Sequence, residues 1–327
     1  MRPVAQYLVS ELRTLRKDRA KAQAMLETLI KARLRDADTS SSEKPGDLIQ
    51  WFLDALPDGE KRNSLIHTKT QLLPSAASMH ATSNLTTDCM YDIAVHQEMQ
   101  DILREEAMEV FGGEDAWERK DSIARLKKMD SFIKESQRLS GNLTSFIRVM
   151  MPIDLSDGTH LPPGANLLTP MAGISFDKRY FPDPEAFDGL RFWRKLPHQQ
   201  QQQSSGLPRS SSPSPTRPPS VTITTSSSPP QAPSCPTTLS TVGNHQFTST
   251  GDLSQNFGLE KHAFPGRFFA AQVIKVFLVY LLLNYDIKLR VGESRPQPVV
   301  FTMTKGPSQT TEVLFRRRGT AAESADH

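Results

Sequence analysis

The sequence predicts a mainly α-helical protein with a small β portion. Apolar residues recur at helical spacing through most of residues 1–140 and again near the carboxyl end. Short β-like segments bounded by turn residues lie between these two parts, where the helical pattern stops. The chain of 327 residues is long enough for one large domain or two small ones.

The first part of the chain predicts three helices. An amphipathic pattern with a charged face runs from about Pro3 to Leu34, and a polar, serine-rich linker follows over Asp36–Gly46. A second helix is predicted over Leu48–Leu56. A long pattern of small and polar residues extends from about Thr68 to Gln97, and Pro74 within it is expected to kink that helix.

The middle of the chain predicts two more helices and then strands. The helices cover Glu98–Val110 and Ile123–Ser140, and Gly112-Gly113 ends the first of them. Residues typical of strands then occupy Thr144–Met151 and Ile153–Leu155. A Ser-Asp-Gly turn and a Pro-Pro-Gly turn follow, which indicates a small strand-rich region.

A low-complexity segment from His198 to about Leu239 contains glutamine, serine, proline and threonine with almost no large apolar residue. It cannot bury enough surface to offset its ordering entropy, so we predict that it is disordered. Order is expected to resume near His245. Arg267–Tyr285 is apolar nearly all round and predicts a buried helix, and Asp286–Val291 alternates as a strand does. The predicted organisation is one domain split by an insert, with the ranges 1–197, 198–240 (the insert), 241–318 and a frayed tail, 319–327.

Composition excludes some classes of function. The net charge is only +3 and no long basic run is present, which argues against a nucleic-acid partner. The two cysteines, Cys89 and Cys235, are too few for a disulfide framework and have no partner at metal-ligand spacing. No signal peptide or membrane anchor is recognised, and the longest apolar stretch, Val276–Leu283, is shorter than the roughly 20 residues that a membrane span needs. The chain is therefore expected to be cytoplasmic, or peripheral at a membrane.

Three motifs in a fixed order carry a family resemblance. Glu135-Ser-Gln-Arg138 places a carboxylate and a guanidinium on one side of a helix. About fifty residues later, the stretch from Phe181 to Phe192 has the form P-x-x-F-x-x-x-R-F, with Arg191 as its arginine. The third stretch reads Phe-Gly-Leu-Glu-Lys-His-Ala-Phe-Pro-Gly-Arg and begins at Phe257. Together they resemble the Glu-x-x-Arg helix, the meander and the haem-binding loop of the cytochrome P-450 family.

The resemblance implies a role for each residue of these motifs. It implies that Glu135, Arg138 and Arg191 form a buried structural network. In the haem loop six residues match the family pattern: Phe257, Gly258, His262, Pro265, Gly266 and Arg267. Two positions depart from it, because Glu260 stands where the family has glycine and Phe264 stands where the family has the cysteine that binds the haem iron.

A further likeness lies in Ala77-Ser-Met-His-Ala-Thr-Ser83, which is similar to the central helix that passes over the haem in fungal secondary-metabolism members. The family's catalytic positions fall on His80, Ala81 and Thr82. We assign none of them as catalytic in this chain, since Ala81 replaces the threonine that helps to deliver protons to bound oxygen. The resemblance covers nearly all of residues 1–195 and 240–318. It implies that the family's amino-terminal anchor and first helices would precede Met1.

The resemblance implies a truncated P-450 fold, haem as cofactor, and two partners: NADPH-cytochrome P-450 reductase and a small hydrophobic substrate. Localisation near the endoplasmic reticulum would follow. The family's chemistry needs a thiolate on the iron, and a phenylalanine has no lone pair to give. The sequence leaves three interpretations open: a degenerate, inactive P-450, a working monooxygenase whose haem is held unusually, and a non-catalytic binding or scaffold protein.

Overall fold

The structure, a computed structural model, describes residues 10–38, 45–113, 115–119, 121–196 and 245–319. Eight α-helices are found among these residues: α1 Ser10–Asp38, α2 Leu48–Ala55, α3 Ser64–Val95, α4 Gln97–Phe111, α5 Ser122–Arg125, α6 Lys127–Ser140, α7 Met171–Ser175 and α8 Arg267–Asn284. The predicted insert falls outside the described residues, as do nearly all of the predicted tail and the start of the first predicted helix. The domain boundaries drawn through them stay a prediction.

Eight short strands accompany the helices in the described residues: β1 Ser145–Arg148, β2 Ile153–Asp154, β3 His160–Leu161, β4 Asn166–Thr169, β5 Tyr285–Lys288, β6 Val299–Phe301, β7 Thr304–Gly306 and β8 Leu314–Arg317. They pair antiparallel as β1 with β4, β2 with β3, β5 with β8 and β6 with β7. The prediction of a mainly α-helical fold with a small β portion is confirmed.

The chain divides into two compact units, Met1–Ala81 and Thr82–His327, with the boundary inside α3. In the first unit the side chain of Asp47 caps α2 by accepting a hydrogen bond from the Gln50 amide at 2.9 Å. Arg33 on α1 pairs with the same carboxylate at 2.5 Å, and this contact holds the pKa of Asp47 below its usual range. One aspartate thus contacts both α1 and the start of α2.

The core of the second unit lies between α4, α6 and α8. Its apolar side chains are fully or almost fully buried, among them Leu103, Phe132, Ile133, Leu278 and Leu282. Glu106 of α4 joins two of these helices, because its carboxylate accepts the Lys128 and Met129 amides at 2.7 and 2.8 Å. The carboxylate accepts hydrogen bonds from amides at the start of α6 that have no partner within the helix.

Two local predictions differ from the structure. The helix predicted over Ile123–Ser140 is two helices, α5 and α6, because the backbone at Leu126 leaves helical geometry (φ −71°, ψ 76°). The strand predicted to reach Val291 ends at Lys288, and Val291 is 99% exposed. Pro74 lies inside α3, which runs over Ser64–Val95, and the kink expected there stays a prediction.

The largest difference concerns α8, which was predicted to be buried. Ala270, Ile274, Leu278 and Leu282 are buried, but Phe269 on the other side is 67% exposed. The helix is apolar on both sides, and the described residues pack against only one of them. By length and composition alone α8 could also cross a membrane, with a mean hydropathy of 1.5, but a core helix has the same composition.

Candidate functional site

Glu135 is the centre of a buried ion network on α6. Arg138, one helical turn further on, binds it in a two-pronged contact, with Nε 2.9 Å from Oε2 and Nη2 2.8 Å from Oε1. The Glu135 side chain is completely buried and that of Arg138 is 4% exposed. Such a forked pair is among the stronger side-chain contacts because two charge-assisted hydrogen bonds form at once.

Arg191 reaches the same carboxylate from the meander. Its Nε lies 3.0 Å from Glu135 Oε1, so the three charged groups predicted to form the network are in contact. The remaining nitrogens of Arg191 donate to the carbonyl oxygens of Pro182 at 2.7 Å and Ala186 at 3.0 Å. Arg138 similarly donates to the Pro184 carbonyl at 2.7 Å. The two arginines therefore hold the backbone of the meander against α6.

The network leaves no polar atom of Glu135 unsatisfied, since Oε1 also accepts the Asp188 amide at 3.2 Å. One carboxylate and two guanidiniums still make a buried net charge of +1. Burying charge is costly unless it is paired and hydrogen-bonded. Backbone carbonyl dipoles supply the remaining stabilisation. The network is therefore structural, because it attaches the meander to α6.

The loop that resembles the haem-binding loop, residues 257–267, is closed by its own backbone. The Phe264 amide donates to the Phe257 carbonyl at 2.7 Å. Gly258 has φ +79°, and a Cβ there would lie 2.9 Å from the His262 carbonyl oxygen. Glycine is required at this position both for its backbone conformation and for the close approach.

Glu260 keeps a backbone conformation that favours glycine. Its φ is +46°, in the left-handed region. This is the position where the family pattern has glycine and this chain does not. A side chain with a Cβ costs roughly 1–2 kcal/mol in that conformation, so the loop retains the shape of the glycine form at some expense in stability.

Phe264 stands at the position that the resemblance assigns to the iron ligand. Its ring lies nearly parallel to that of Phe257, with centroids 6.4 Å apart and an interplanar angle of 20°. It also lies over Gly266, where an added Cβ would come within 2.5 Å of the ring. The side chain is a hydrocarbon, 37% exposed, and it offers no donor atom to a metal.

The other matched residues of the loop have distinct surroundings. Arg267 donates from Nη1 to the Phe264 carbonyl at 2.9 Å and from Nε to the Thr248 carbonyl at 3.1 Å, which fixes the start of α8. His262 and Pro265 are exposed. Hydrogen bonds thus hold the backbone of this loop in place, while position 264 carries a phenyl ring.

The loop is anchored to the core through Asp130, which sequence reasoning missed. Its Oδ1 lies 2.6 Å from Lys275 Nζ on α8, and its Oδ2 accepts the Phe247 amide at 2.8 Å. Phe247 is fully buried and meets Phe257 edge to face at 5.2 Å. The sequence did contain a signal of this ion pair. Lys275 lies within an otherwise apolar helix, and a lysine that is buried there needs a carboxylate partner.

The central-helix positions lie on α3, where His80 and Ala81 are exposed and Thr82 is half-buried. The unit boundary falls between Ala81 and Thr82. Cys89 lies further along α3 and is completely buried, and this burial raises the pKa of its thiol well above the usual range. Among the described residues no three His, Cys, Asp or Glu side chains cluster as metal ligands would.

A model of the cytochrome P-450 family matches residues 1–208, well over half of the chain. The chain belongs to the cytochrome P-450 family. It is similar to curated fungal P-450 monooxygenases: it is 32% identical over 319 residues to BOA4 of Botryotinia fuckeliana and 31% identical over 334 residues to olcJ of Penicillium canescens. These alignments cover 97% and 100% of the chain, so they extend beyond the family-model match and across the loop at 257–267.

The P-450 fold is also found by structural comparison. The retinoic-acid-bound cyanobacterial CYP120A1 superposes with a TM-score of 0.63 over 94% of this chain, at 20% sequence identity, which supports the fold alone. The chain covers 58% of that protein, and 56% and 54% of the two fungal relatives. The chain thus spans about half the length of the curated P-450 relatives that it matches.

Proposed function

We propose that this chain is a P-450-like protein of fungal secondary-metabolite biosynthesis that has lost haem-thiolate monooxygenase activity. The observation that carries the proposal is Phe264. The family pattern places the iron-binding cysteine at this position, and a phenyl ring packed over Gly266 occupies it. In the family, haem supplies oxygen activation, and that chemistry depends on a thiolate ligand.

The residues present do not fit haem held in the family's way. Phe264 stands at the position that the resemblance gives to the thiolate and offers no donor atom, and burial raises the pKa of the Cys89 thiol, which disfavours its thiolate form. His262 stands two residues before Phe264 in the sequence, but the resemblance gives it a hydrogen bond to a haem propionate. We therefore derive no reaction step through haem in this chain.

A second candidate is an active haem-dependent monooxygenase that oxidises a small hydrophobic natural product. It is favoured by the retained loop residues Gly258, His262, Gly266 and Arg267 and by the similarity to fungal P-450 monooxygenases. In that case NADPH-cytochrome P-450 reductase would be the partner, near the endoplasmic reticulum. The proposal of an inactive protein predicts that the chain will not need a reductase.

Haem content separates the two candidates. The chain should be expressed with a haem precursor, purified, and measured for haem by extraction and for iron by elemental analysis. The inactive protein is expected to carry far less than one haem per chain. Stoichiometric haem together with reductase-dependent oxygen consumption would favour the active monooxygenase.

A further inference from the structure

Three arginines converge on one carboxylate in the cleft between α4 and the paired strands β5 and β8. Asp286 on β5 accepts Arg316 Nη2 at 2.8 Å and Arg318 Nη1 at 2.9 Å. Arg104 Nη2 on α4 lies 3.1 Å from the same carboxylate. The hydrogen bond from Arg316 is the main reason why the pKa of Asp286 lies below its usual range. One negative charge is thus shared by three positive ones.

The cleft as a whole carries an excess of positive charge. The charged side chains that line it are Asp101, Arg104, Asp286, Lys288, Arg316 and Arg318. Four positive and two negative charges leave a net charge of +2. Burial, and next the positive charge of Arg318, lower the pKa of Arg104. Arg104 therefore experiences positive charge that the carboxylates do not neutralise.

Several hydrogen-bond donors in the cleft remain open. Arg104 is not among them, because each of its three nitrogens donates to an oxygen of the protein. In the part of the chain that the structure describes, no acceptor is found for Arg316 Nη1, for Arg318 Nε and Nη2, or for Lys288 Nζ. The side chains of Arg316 and Arg318 are 83% and 40% exposed. Their open nitrogens are accessible to an anion from solution.

The two strands place these groups on one face. In the antiparallel register Asp286 lies opposite Arg316, and Lys288 lies opposite Leu314. Arg317 lies opposite Tyr285 and does not line the cleft, since successive side chains of a strand point to opposite faces. Basic side chains on an edge strand also keep it from pairing with other chains. Arg316 and Arg317 would share that role, so the cleft is what distinguishes them.

The size of the cleft suits a small organic molecule. Its volume is about 670 Å³, within the range of about 300–1,000 Å³ that is typical of small-molecule sites. A phosphate ion alone would fill only a small part of it. Leu314, 39% exposed, offers apolar surface next to the basic groups. The cleft therefore has room for an anionic group and for an organic part attached to it.

We infer that this cleft is a binding site for small phosphate monoesters. The phosphate group lies between Lys288 and the open nitrogens of Arg316 and Arg318, and the organic part lies against Leu314. A phosphate dianion matches the net charge of +2, and its oxygens suit the forked donors of guanidinium groups. These residues lie outside the loop at 257–267, so the site is independent of iron ligation.

Isothermal titration calorimetry of the full chain tests the site, with phenyl phosphate and inorganic phosphate as the probes. Sodium chloride keeps the ionic strength constant, and the pH is about 7.5, above the second phosphate pKa of about 6. Arg316→Gln and Lys288→Gln each remove one positive charge from the cleft. Arg317→Gln is the matched control, because it makes the same change at an exposed neighbour on the other face of β8. Circular dichroism checks that each variant is folded.

Phenyl phosphate is expected to bind more tightly than inorganic phosphate. Arg316→Gln and Lys288→Gln should each raise its Kd by on the order of tenfold, and Arg317→Gln by less than about twofold. The absence of binding, or an equal rise in Kd for all three variants, would overturn the inference. So would binding only to phosphatidylcholine vesicles that contain phosphatidic acid, since the basic groups would then contact a membrane surface. Binding that appears only in a Glu323→Gln, Asp326→Asn variant would show that the chain's own carboxylates are the ligand, which also overturns it.

Discussion

Arg191 Nε and Glu135 Oε1 lie 3.0 Å apart although 56 residues separate them in the sequence. Both side chains are almost completely excluded from solvent, at 8% and 0% exposure. The pair joins α6 to the meander, and it is present although Phe264 stands where the family resemblance implies a cysteine. A network that persists without the cysteine is expected to serve the stability of the fold.

Removing the charge of Glu135 tests that role. Glu135→Gln leaves Arg138 and Arg191 buried without a counter-charge, and we expect a loss of about 3–5 kcal/mol in the free energy of unfolding. Urea denaturation followed by circular dichroism measures it. The matched control is Arg194→Ala in the meander, whose ion pair with Asp188 involves a side chain that is 58% exposed; it should change the unfolding free energy little. Equal effects of the two variants would contradict the assignment.

Replacing Glu260 by glycine should stabilise the protein. Residue 260 has φ +46°, so Glu260→Gly relieves the strain of a Cβ in the left-handed region, offset in part by the greater freedom of glycine in the unfolded chain. We expect a net gain of about 1 kcal/mol in the free energy of unfolding. Glu260→Ala serves as the control, because it removes the carboxylate and keeps the strain. A gain of the same size with alanine would show that the carboxylate, and not the backbone, causes the effect.

The burial of Asp88 predicts a dependence of stability on pH. Asp88 and Asp92 on α3 both contact Arg295, at 3.1 Å and 2.5 Å. Burial raises the pKa of Asp88 from 3.8 to about 6, although Arg295 acts in the opposite direction. The folded state therefore binds the proton more tightly than the unfolded chain. The stabilising contribution is complete below pH 3.8 and is lost as the pH rises through 6.

Asp88→Asn is expected to remove this dependence. Between pH 4 and pH 7 the free energy of unfolding of the natural chain should fall relative to that of the variant by at most about 3 kcal/mol. Urea titrations of both proteins at each pH measure the difference. A difference that stays constant across this range would show that Asp88 titrates as an ordinary carboxyl group.

The sequence predicted those parts of the fold and site that local patterns encode. Helical periodicity located the longer helices but not the short α7, and ordered motifs identified Glu135, Arg138 and Arg191 as one network. Periodicity could not predict that one side of α8 would be exposed. The pattern of apolar residues within a helix does not show which other elements pack against it. The break at Leu126 interrupts no apolar pattern, so it also gave no signal.

Contacts between distant parts of the chain could not be predicted from local patterns either. Asp88 and Arg295 are 207 residues apart, and a single sequence contains no covariation that would join them. Glu260 is an intermediate case. Its departure from the family pattern was visible in the sequence, but its left-handed backbone became known only from the structure.

Restoring the thiolate is the constructive test of the proposed loss of activity. Phe264→Cys in the 327-residue chain should not by itself give a haem protein, because about two fifths of the P-450 fold lies outside this chain. The same change in a form extended by the part of the fungal relatives that this chain does not cover should recover some haem, since Gly258, His262, Gly266 and Arg267 are present in the loop. Haem extracted per mole of protein is the measurement, with the extended form carrying Phe264 as the control. Equal haem in the two extended forms would contradict a role for residue 264 as the ligand.

The reduced carbon monoxide spectrum of the unmodified chain tests the central claim most directly. A thiolate opposite carbon monoxide on haem iron shifts the Soret band to the red, and the phenyl ring of Phe264 has no atom that could do so. We predict that the purified chain, supplied with haem, reduced and exposed to carbon monoxide, shows no red-shifted Soret band. A red-shifted band of thiolate type from the unmodified chain would contradict the account and identify a working haem-thiolate enzyme.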